Sequence, residues 1–215
     1  MPHRLQIEAK FSLVSGLHIT GEQGKLWTDK ALVVSWGDGK TPVVPATTIK
    51  GWLRESAERL LRGWGQQVCD SSRPSEICGT CLVCEVFGAP RRRSALRFSD
   101  AELHEGMTDV RMNVSLSRRR KAAYEERLFS TEVAWQKRLT VHIEGWFTSL
   151  AEAQRTAALL YLAANAGFAL GAARSRGLGW LKLEAFTVNV DSEKLPKEDL
   201  IAQSKALVSW TRSSA

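Results

Sequence analysis

The order of strand-like and helical segments is the feature that most limits what this chain can fold into. Alternating apolar and polar residues mark four strands, and apolar residues spaced three and four apart mark two helices. The strands lie in residues 4–19, 94–103, 137–147 and 179–190, and the helices in residues 45–65 and 149–168. The order strand, helix, strand, strand, helix, strand predicts an α+β fold. Its core would be ferredoxin-like (βαββαβ), with two helices over one face of an antiparallel sheet.

Local signals predict where the helices begin and end. Thr47 and Ser149 are candidate N-caps, since a hydroxyl oxygen accepts a hydrogen bond from the first helical turn. Gly65 is a candidate stop for the first helix. A chain of 215 residues with one such pattern predicts a single domain over residues 1–190. We expect a polar, partly helical tail over residues 191–215.

All four cysteines lie in one insertion, residues 66–90, between the first helix and the second strand. Their spacing is C-x8-C-x2-C-x2-C, and a C-x2-C turn lets two thiolates converge on one ion. The sequence therefore predicts a structural Zn²⁺ site whose ligands are Cys69, Cys78, Cys81 and Cys84. Two alternatives remain open: another metal, for example in an iron–sulfur cluster, and a set of small buried thiols without metal.

The charge balance favours a polyanionic partner. Lysine and arginine outnumber aspartate and glutamate by 30 to 23, which gives a net charge of +7. The first residues lack the apolar stretch of a signal peptide, and no segment approaches the roughly 18 apolar residues of a membrane helix. We therefore expect a cytoplasmic protein without membrane contact, in which thiols stay reduced.

Three arginine-rich segments fall between the predicted core elements, where we expect loops. Three such clusters on one core predict a track for nucleic-acid phosphates, although each alone is more often solvated surface. The clusters are Arg91, Arg92, Arg93 and Arg97; Arg118, Arg119, Arg120, Lys121 and Arg127; and Arg174 and Arg176.

The third cluster stands in a glycine-rich stretch, GAARSRGLG, directly after the second helix. Gly171, Gly177 and Gly179 permit positive φ and leave backbone amides bare around Ser175, so that a phosphate can approach them closely. A strand follows rather than a helix, which excludes the phosphate loops of nucleotide-binding proteins. The stretch therefore predicts a turn that binds the phosphates of a polyanion.

Four phrases of the sequence resemble the RAMP superfamily, and more narrowly the backbone subunit of type III CRISPR effector complexes. They are SGLHITG, VPATTIKGWLRESAERL, CEVFGAPRRRSALRFSDAEL and GFALGAARSRGLGWLKL, and the resemblance extends over residues 5–190. It implies a core like an RNA-recognition motif, with a β-hairpin thumb over residues 108–138. It also implies a subunit of antiviral defence that lines up with neighbouring copies or paralogues along a guide crRNA and acts on single-stranded target RNA.

The resemblance implies roles for individual residues. Lys50, Arg54 and the arginines near the glycine loop match positions that bind the guide backbone, and the tip of the thumb reaches across the guide–target duplex. Cysteine-ligated Zn²⁺ occurs at this place in some branches of the family. His18 matches a structural or RNA-contacting histidine. A guide-processing endoribonuclease that uses His18 is a less favoured alternative.

The resemblance also implies a metal-dependent endoribonuclease with an aspartate after the first strand. Asp29, in the loop GEQGKLWTDKALVV, precedes an apolar run as that aspartate does. A lone carboxylate needs a divalent cation such as Mg²⁺, or a 2′-hydroxyl that it positions. The family context D-N-P-V is altered to DKAL here, which leaves Glu22 and Asp38 as alternative acids. A non-catalytic scaffold subunit that only binds guide RNA is the alternative function.

Overall fold

The computed structural model describes residues 2–21, 25–104 and 106–209. In these ranges the fold is mixed α+β with antiparallel sheets. The strands are β1 (His3–Leu13), β2 (Val43–Val44), β3 (Leu96–Phe98), β4 (Ala101–Glu102), β5 (Met107–Ser117), β6 (Ala122–Trp135), β7 (Arg138–Phe147), β8 (Leu181–Val190) and β9 (Glu193–Lys194). The helices are α1 (Ala46–Gly63), α2 (Leu82–Phe87), α3 (Leu150–Ala166) and α4 (Lys197–Ser209), with single 3₁₀ turns at Pro74–Glu76 and Arg174–Arg176.

The main sheet has the order β3-β7-β1-β8-β9, so the first long strand of the chain lies at its centre. Ile7 of β1 pairs with Ile143 of β7 on one side and with Val188 of β8 on the other. Successive side chains of a strand point to opposite faces, so alternate residues of β1 are buried. Helices α1 and α3 cover the buried face, where Trp52 packs edge-on against Phe11 at 5.4 Å.

The two helix starts differ in how they are capped. Helix α3 begins as predicted, with Ser149 Oγ accepting a hydrogen bond from the Glu152 backbone at 3.3 Å. The prediction of Thr47 as the N-cap of α1 is wrong, because the helix already begins at Ala46. The backbone N–H of Ala46 instead donates to the Asp100 carboxylate at 2.7 Å. A distant acid between β3 and β4 thus replaces the local hydroxyl.

Helix α1 ends at a glycine, as predicted. Gly65 has φ of +81°, a left-handed conformation that glycine adopts without steric cost. The backbone N–H of Gly65 donates to the carbonyl of Arg62, and that of Gln66 donates to the carbonyl of Leu61. These two hydrogen bonds are the Schellman motif, which satisfies the last carbonyls of a helix.

Strands β5 and β6 form a separate two-stranded hairpin with its turn at residues 118–121. Apart from its first residue, Met107, it falls within the range that the sequence predicts as a thumb, and most of its side chains are exposed. In β6 only residues 130–134, at the base of the hairpin, are buried, and in β5 only Ser117 is buried.

The last described residues join the body of the fold. Strand β9 extends the main sheet, and α4 packs along α3 with Leu200, Ser204 and Leu207 buried. Residues 210–215 of the predicted tail lie outside the described residues. Among the helices described, none combines the length and the hydropathy that a membrane crossing requires.

Candidate functional site

The four cysteines converge in space. Their Sγ atoms all lie within 4.8 Å of one another. The Sγ atom of Cys69 lies 3.1 Å from that of Cys84, 3.5 Å from that of Cys81 and 3.8 Å from that of Cys78. Four sulfurs bound to one tetrahedral ion at about 2.3 Å would stand about 3.8 Å apart. The cluster can therefore hold a metal ion.

The thiols of the cluster lie in different environments. Cys84 is buried in α2, and burial raises its pKa to about 12. Cys78 is exposed, and backbone N–H groups of Thr80 and Cys81 lower its pKa to about 6 by hydrogen bonding. Metal ligation displaces thiol protons, so an ion at this site would hold Cys84 as a thiolate at neutral pH.

Arg54, predicted to bind RNA, lies beside the cysteines. Its Nη2 atom is 3.7 Å from Cys84 Sγ, its Nη1 atom donates to the Gly88 carbonyl, and its Nε atom donates to Glu58, both at 2.9 Å. Only 14% of its side chain is exposed. These contacts favour a structural role for Arg54, and its role in RNA binding stays a prediction.

Glu58 is a structural residue that the sequence reasoning missed. Its carboxylate is buried, and it accepts hydrogen bonds from the backbone N–H and the hydroxyl of Ser71 at 3.1 and 2.9 Å, besides the bond from Arg54. Ser71 lies between Cys69 and Cys78 in the sequence, so Glu58 ties the cysteine insertion to α1. The i,i+4 spacing of Arg54, Glu58 and Arg62 on one helix face is the signal that could have found it.

A surface groove brings Lys50 together with the first arginine cluster. It lies between α1 and the segment after α2, and Arg91, Arg92 and Arg93 line it. Arg92 pairs with Glu85 at 3.6 Å, whereas no described residue forms an ion pair with Arg91 or Arg93. Burial, together with the nearby Arg54, lowers the pKa of Lys50. The groove therefore presents unpaired positive charge to solvent.

The glycines of the loop at 171–179 serve two different purposes. A Cβ atom at Gly179 would lie 1.8 Å from the Leu170 carbonyl oxygen, and one at Gly171 would lie 2.5 Å from the His18 carbonyl oxygen. Gly171 therefore lets the loop pack closely on the segment after β1, and Gly179 lets the end of the loop approach the backbone at its start, Leu170. Gly177 has φ of +85° and open space around it, so only its backbone conformation requires glycine.

The two arginines of this loop are exposed but differ in their partners. Arg174 donates to Glu55 at 2.9 Å. Arg176 forms no ion pair within the described chain, and it lines a small cleft beside His18. Ser175 is exposed between them. The loop thus offers one neutralised and one free guanidinium.

Asp29, the predicted catalytic residue, is exposed and fixed by the hairpin. The backbone N–H and the hydroxyl of Ser130 both donate to Asp29 Oδ2, at 2.7 and 2.9 Å. The backbone N–H of Asp29 donates in return to Ser130 Oγ at 2.8 Å. The bonds from Ser130 lower the pKa of Asp29, so the carboxylate is ionised at neutral pH. Its second oxygen, Oδ1, accepts no hydrogen bond from another described residue.

The alternative acids differ in position. Asp38 accepts hydrogen bonds from Lys40 and from the backbone and hydroxyl of Thr41, and these bonds lower its pKa to about 2. Asp38 therefore stabilises its own turn. Glu22 lies outside the described residues.

His18 is a buried residue of the segment after β1, with 1% of its surface exposed. Its Nδ1 atom lies 2.6 Å from the Glu132 carbonyl oxygen, which only accepts, so Nδ1 carries the proton. Its Nε2 atom then accepts from the Thr20 hydroxyl at 2.9 Å. Burial lowers the pKa of His18, which therefore remains neutral at pH 7. These contacts favour a structural role for His18, and its role in RNA binding stays a prediction.

Glu132 is a second residue that the sequence reasoning missed. Its carboxylate is buried at the hairpin base and accepts from Lys25 Nζ at 2.7 Å and from the Leu32 backbone at 3.0 Å. It therefore holds both ends of the segment that carries Asp29. No local pattern signals this role, because the partners are about a hundred residues apart in sequence.

The arginines at the hairpin tip stand apart from the other groups. Arg118, Arg119 and Arg120 are exposed, and none forms an ion pair with a described residue. Ser117 at the end of β5 is five positions beyond Met112, the partner of Ser130, which corresponds to about 17 Å along the strand. The structure thus places the tip far from Asp29.

Comparison with known proteins identifies the family. One matching solved structure is described as the cryo-EM structure of the type III-B Cmr-beta bound to cognate target RNA. Its matched chain is 17% identical with a TM-score of 0.58, over 86% of this chain and 60% of that chain, and at this identity the likeness shows the fold alone. Curated proteins give no significant match. The sequence model of the RAMP superfamily matches residues 11–182, and we conclude that the chain belongs to this superfamily.

Proposed function

We propose that this chain is a backbone subunit of a type III CRISPR ribonucleoprotein that binds guide crRNA and cleaves complementary target RNA. Membership in the RAMP superfamily is the observation that carries the proposal. The similarity to a chain of a type III-B complex bound to target RNA supports it. The partners would be the guide, single-stranded target RNA and neighbouring subunits, with β5 and β6 as a thumb across the RNA.

The strand order supports a ferredoxin-like, RRM-like core. Without β9, the order β3-β7-β1-β8 places the first long strand next to the third and the fourth of the predicted βαββαβ pattern. Helix α1 follows the first of these strands and α3 precedes the last, and both cover one face. The other face and its loops remain open for RNA.

Unpaired cations support RNA binding. Lys50, Arg91 and Arg93 in the groove, the exposed Arg176 and the hairpin tip at residues 118–120 all present charge that no described acid neutralises. Such positions bind phosphates without reading sequence, as a subunit that holds any guide must do.

The geometry of Asp29 supports its role in cleavage with a divalent cation. Ser130 binds one carboxylate oxygen and so fixes the orientation of the whole group. The other oxygen is therefore held in place and is open to a ligand. Mg²⁺ prefers oxygen ligands and keeps several waters, so one carboxylate together with RNA oxygens suffices to hold it. The cation would stabilise the developing charge at the phosphodiester.

A non-catalytic scaffold is the second candidate. The bonds between Asp29 and Ser130 would equally serve to hold the loop on the hairpin, without any chemistry. A guide-processing enzyme based on His18 is disfavoured, because that ring is buried and both its nitrogens are bonded.

The test compares Asp29→Asn with Asp38→Asn in complexes assembled on a guide RNA. We expect Asp29→Asn to reduce the rate of metal-dependent cutting of a complementary target by a factor of about a hundred or more. Binding of the target should be retained. Asp38→Asn, in an exposed turn of the same insertion, should cut like the wild type. If Asp29→Asn cuts at the wild-type rate, Asp29 is not the catalytic residue. If the wild-type complex binds the target without cutting it, the scaffold function replaces the nuclease.

For the cysteine cluster we propose a structural Zn²⁺ ion held by Cys69, Cys78, Cys81 and Cys84. Four thiolates fill a tetrahedral shell, so the ion would supply folding free energy rather than a reaction site. Elemental analysis of the purified chain should give one equivalent of zinc. The Cys84→Ser variant should lose it, whereas Ser94→Ala, outside the cluster, should keep it. Less than about half an equivalent in the wild type would reject zinc.

A further inference from the structure

The base of the hairpin forms a small cleft with an unusual charge. It is bordered by Lys30 from the segment after β1, Arg111 and Asn113 from β5, Thr131 from β6 and Arg176 from the glycine loop. Three separate parts of the chain thus each contribute one cation. Among the described residues that line the cleft, none is acidic.

The strand register places two of these cations on one face. Arg111 is the antiparallel partner of Thr131, and Lys30 forms a parallel bridge with the same Thr131. Residues paired across neighbouring strands point to the same side, so Lys30 and Arg111 stand on either side of Thr131. Two strand spacings separate their backbones by about 10 Å, and both long side chains can reach one group between them.

Aromatic rings hold two of the cations without neutralising them. The Arg111 guanidinium lies 4.7 Å from the centre of the Trp135 ring, and the Lys30 ammonium lies 5.1 Å from that of Phe129. A ring face attracts a cation but carries no net charge. The third cation, Arg176, pairs with no described acid.

The nearby acids are engaged elsewhere. Asp29 precedes Lys30, but Ser130 binds its carboxylate. Glu132 follows Thr131, but it points to the opposite face and pairs with Lys25. Asp109, two positions before Arg111, accepts from the neighbouring Val110 N–H and does not border the cleft. Within the described ranges, no acid therefore serves as a counter-ion to these three positive charges.

We propose that this cleft binds a phosphodiester group of RNA, next to Asp29. The inference rests on the proposed function and adds Lys30 and Arg111 to the RNA-binding residues. Two guanidinium groups and an ammonium group suit a phosphate, because they donate several charge-assisted hydrogen bonds to its oxygens. Asp29 turns toward Ser130 and away from the cleft, so the cleft positions RNA for binding and takes no part in bond cleavage.

The test measures RNA binding by the full chain and three single variants, Lys30→Gln, Arg111→Gln and Arg176→Gln. Each should weaken binding of a labelled RNA about tenfold and reduce the slope of log affinity against log salt by about 0.7 to 1. Lys205→Gln, an exposed cation of α4 on the helix-covered side of the fold, should change neither quantity. Arg111→Lys keeps the charge and should recover most of the affinity, which separates charge from packing on Trp135.

Two RNA ligands distinguish the source of the phosphate. If the variants bind the single-stranded guide more weakly, the cleft binds the guide backbone. If they bind only the guide–target duplex more weakly, the cleft binds the target backbone. If all three variants keep the wild-type affinity and salt slope with both RNAs, the cleft does not bind phosphate. The proposal that the chain binds RNA would be unaffected. If the wild-type chain in its assembled complex binds neither RNA, the proposed function itself fails.

Discussion

Removal of the Glu58 carboxylate is the perturbation whose cost the structure defines best. Glu58 is 2% exposed at its side chain and Arg54 is 14% exposed, and the two are joined at 2.9 Å. Truncation of one partner in a buried ion pair costs about 3–5 kcal/mol, since the other charge is left without compensation. Arg54 keeps its bond to the Gly88 carbonyl, so we expect Glu58→Ala to lower the free energy of unfolding by about 3 kcal/mol.

The assay is urea denaturation of the full chain, with a matched surface pair as control. A loss of about 3 kcal/mol moves the urea midpoint down by about 1–2 M, given the usual denaturant dependence. The control variant is Glu76→Ala, which removes the ion pair between Glu76 and Arg73 at 3.3 Å. In this pair the side chain of Arg73 is 67% exposed and that of Glu76 is 57% exposed. Such a surface pair contributes about 0–1 kcal/mol.

A double variant separates lost charge compensation from lost volume. Arg54→Met combined with Glu58→Gln removes both charges and retains hydrogen bonding to Ser71, so it should recover most of the stability. If Glu58→Ala costs no more than Glu76→Ala, the carboxylate does not stabilise the cysteine insertion and the reasoning is refuted.

Two further changes test the glycine loop and the buried histidine. Gly179→Ala should destabilise the fold by about 3 kcal/mol or more, because its Cβ would clash with the Leu170 carbonyl. Gly177→Ala should cost about 1–2 kcal/mol, from its positive φ alone. Equal shifts of the melting temperature in the two variants would contradict this. The folded-state pKa of His18 lies below its unfolded value of about 6.5, so the unfolded chain takes up the proton first. The free energy of unfolding should therefore fall by up to about 1.4 kcal/mol per pH unit below pH 6.5. Urea titrations at pH 7.5 and 5.5 measure this difference. If His18→Gln shows the same pH dependence as the wild type, His18 is not its cause.

The sequence predicts those features of the fold that rest on local periodicity and local hydrogen bonds. Ser149 caps α3 through a contact three residues away, and Gly65 ends α1 through contacts within five residues. The Thr47 prediction failed because the partner that replaces it, Asp100, is brought close only by the packing of the strands. A pattern within one segment cannot contain that information.

The same limit applies to the candidate site. The cysteine spacing predicts convergence because all four cysteines lie in one short insertion. Arg54 matches a predicted RNA-binding position, yet the structure surrounds it with Glu58, Gly88 and Cys84. A charge pattern shows that an arginine is present but does not show which acid faces it after folding.

Three consecutive residues of β6 explain why the hairpin base matters to the site. Ser130 binds Asp29, Thr131 stands between the cations of the cleft, and Glu132 holds His18 through its carbonyl and the Asp29 segment through its carboxylate. Because side chains alternate along a strand, a register shift of one residue would exchange these roles. The irregular pairing lies beyond this point, between Val114 and Leu116, so the outer hairpin can change its twist while the register at Asp29 is kept. The placement of Asp29 therefore depends on strand pairing at the hairpin base and not on its own loop.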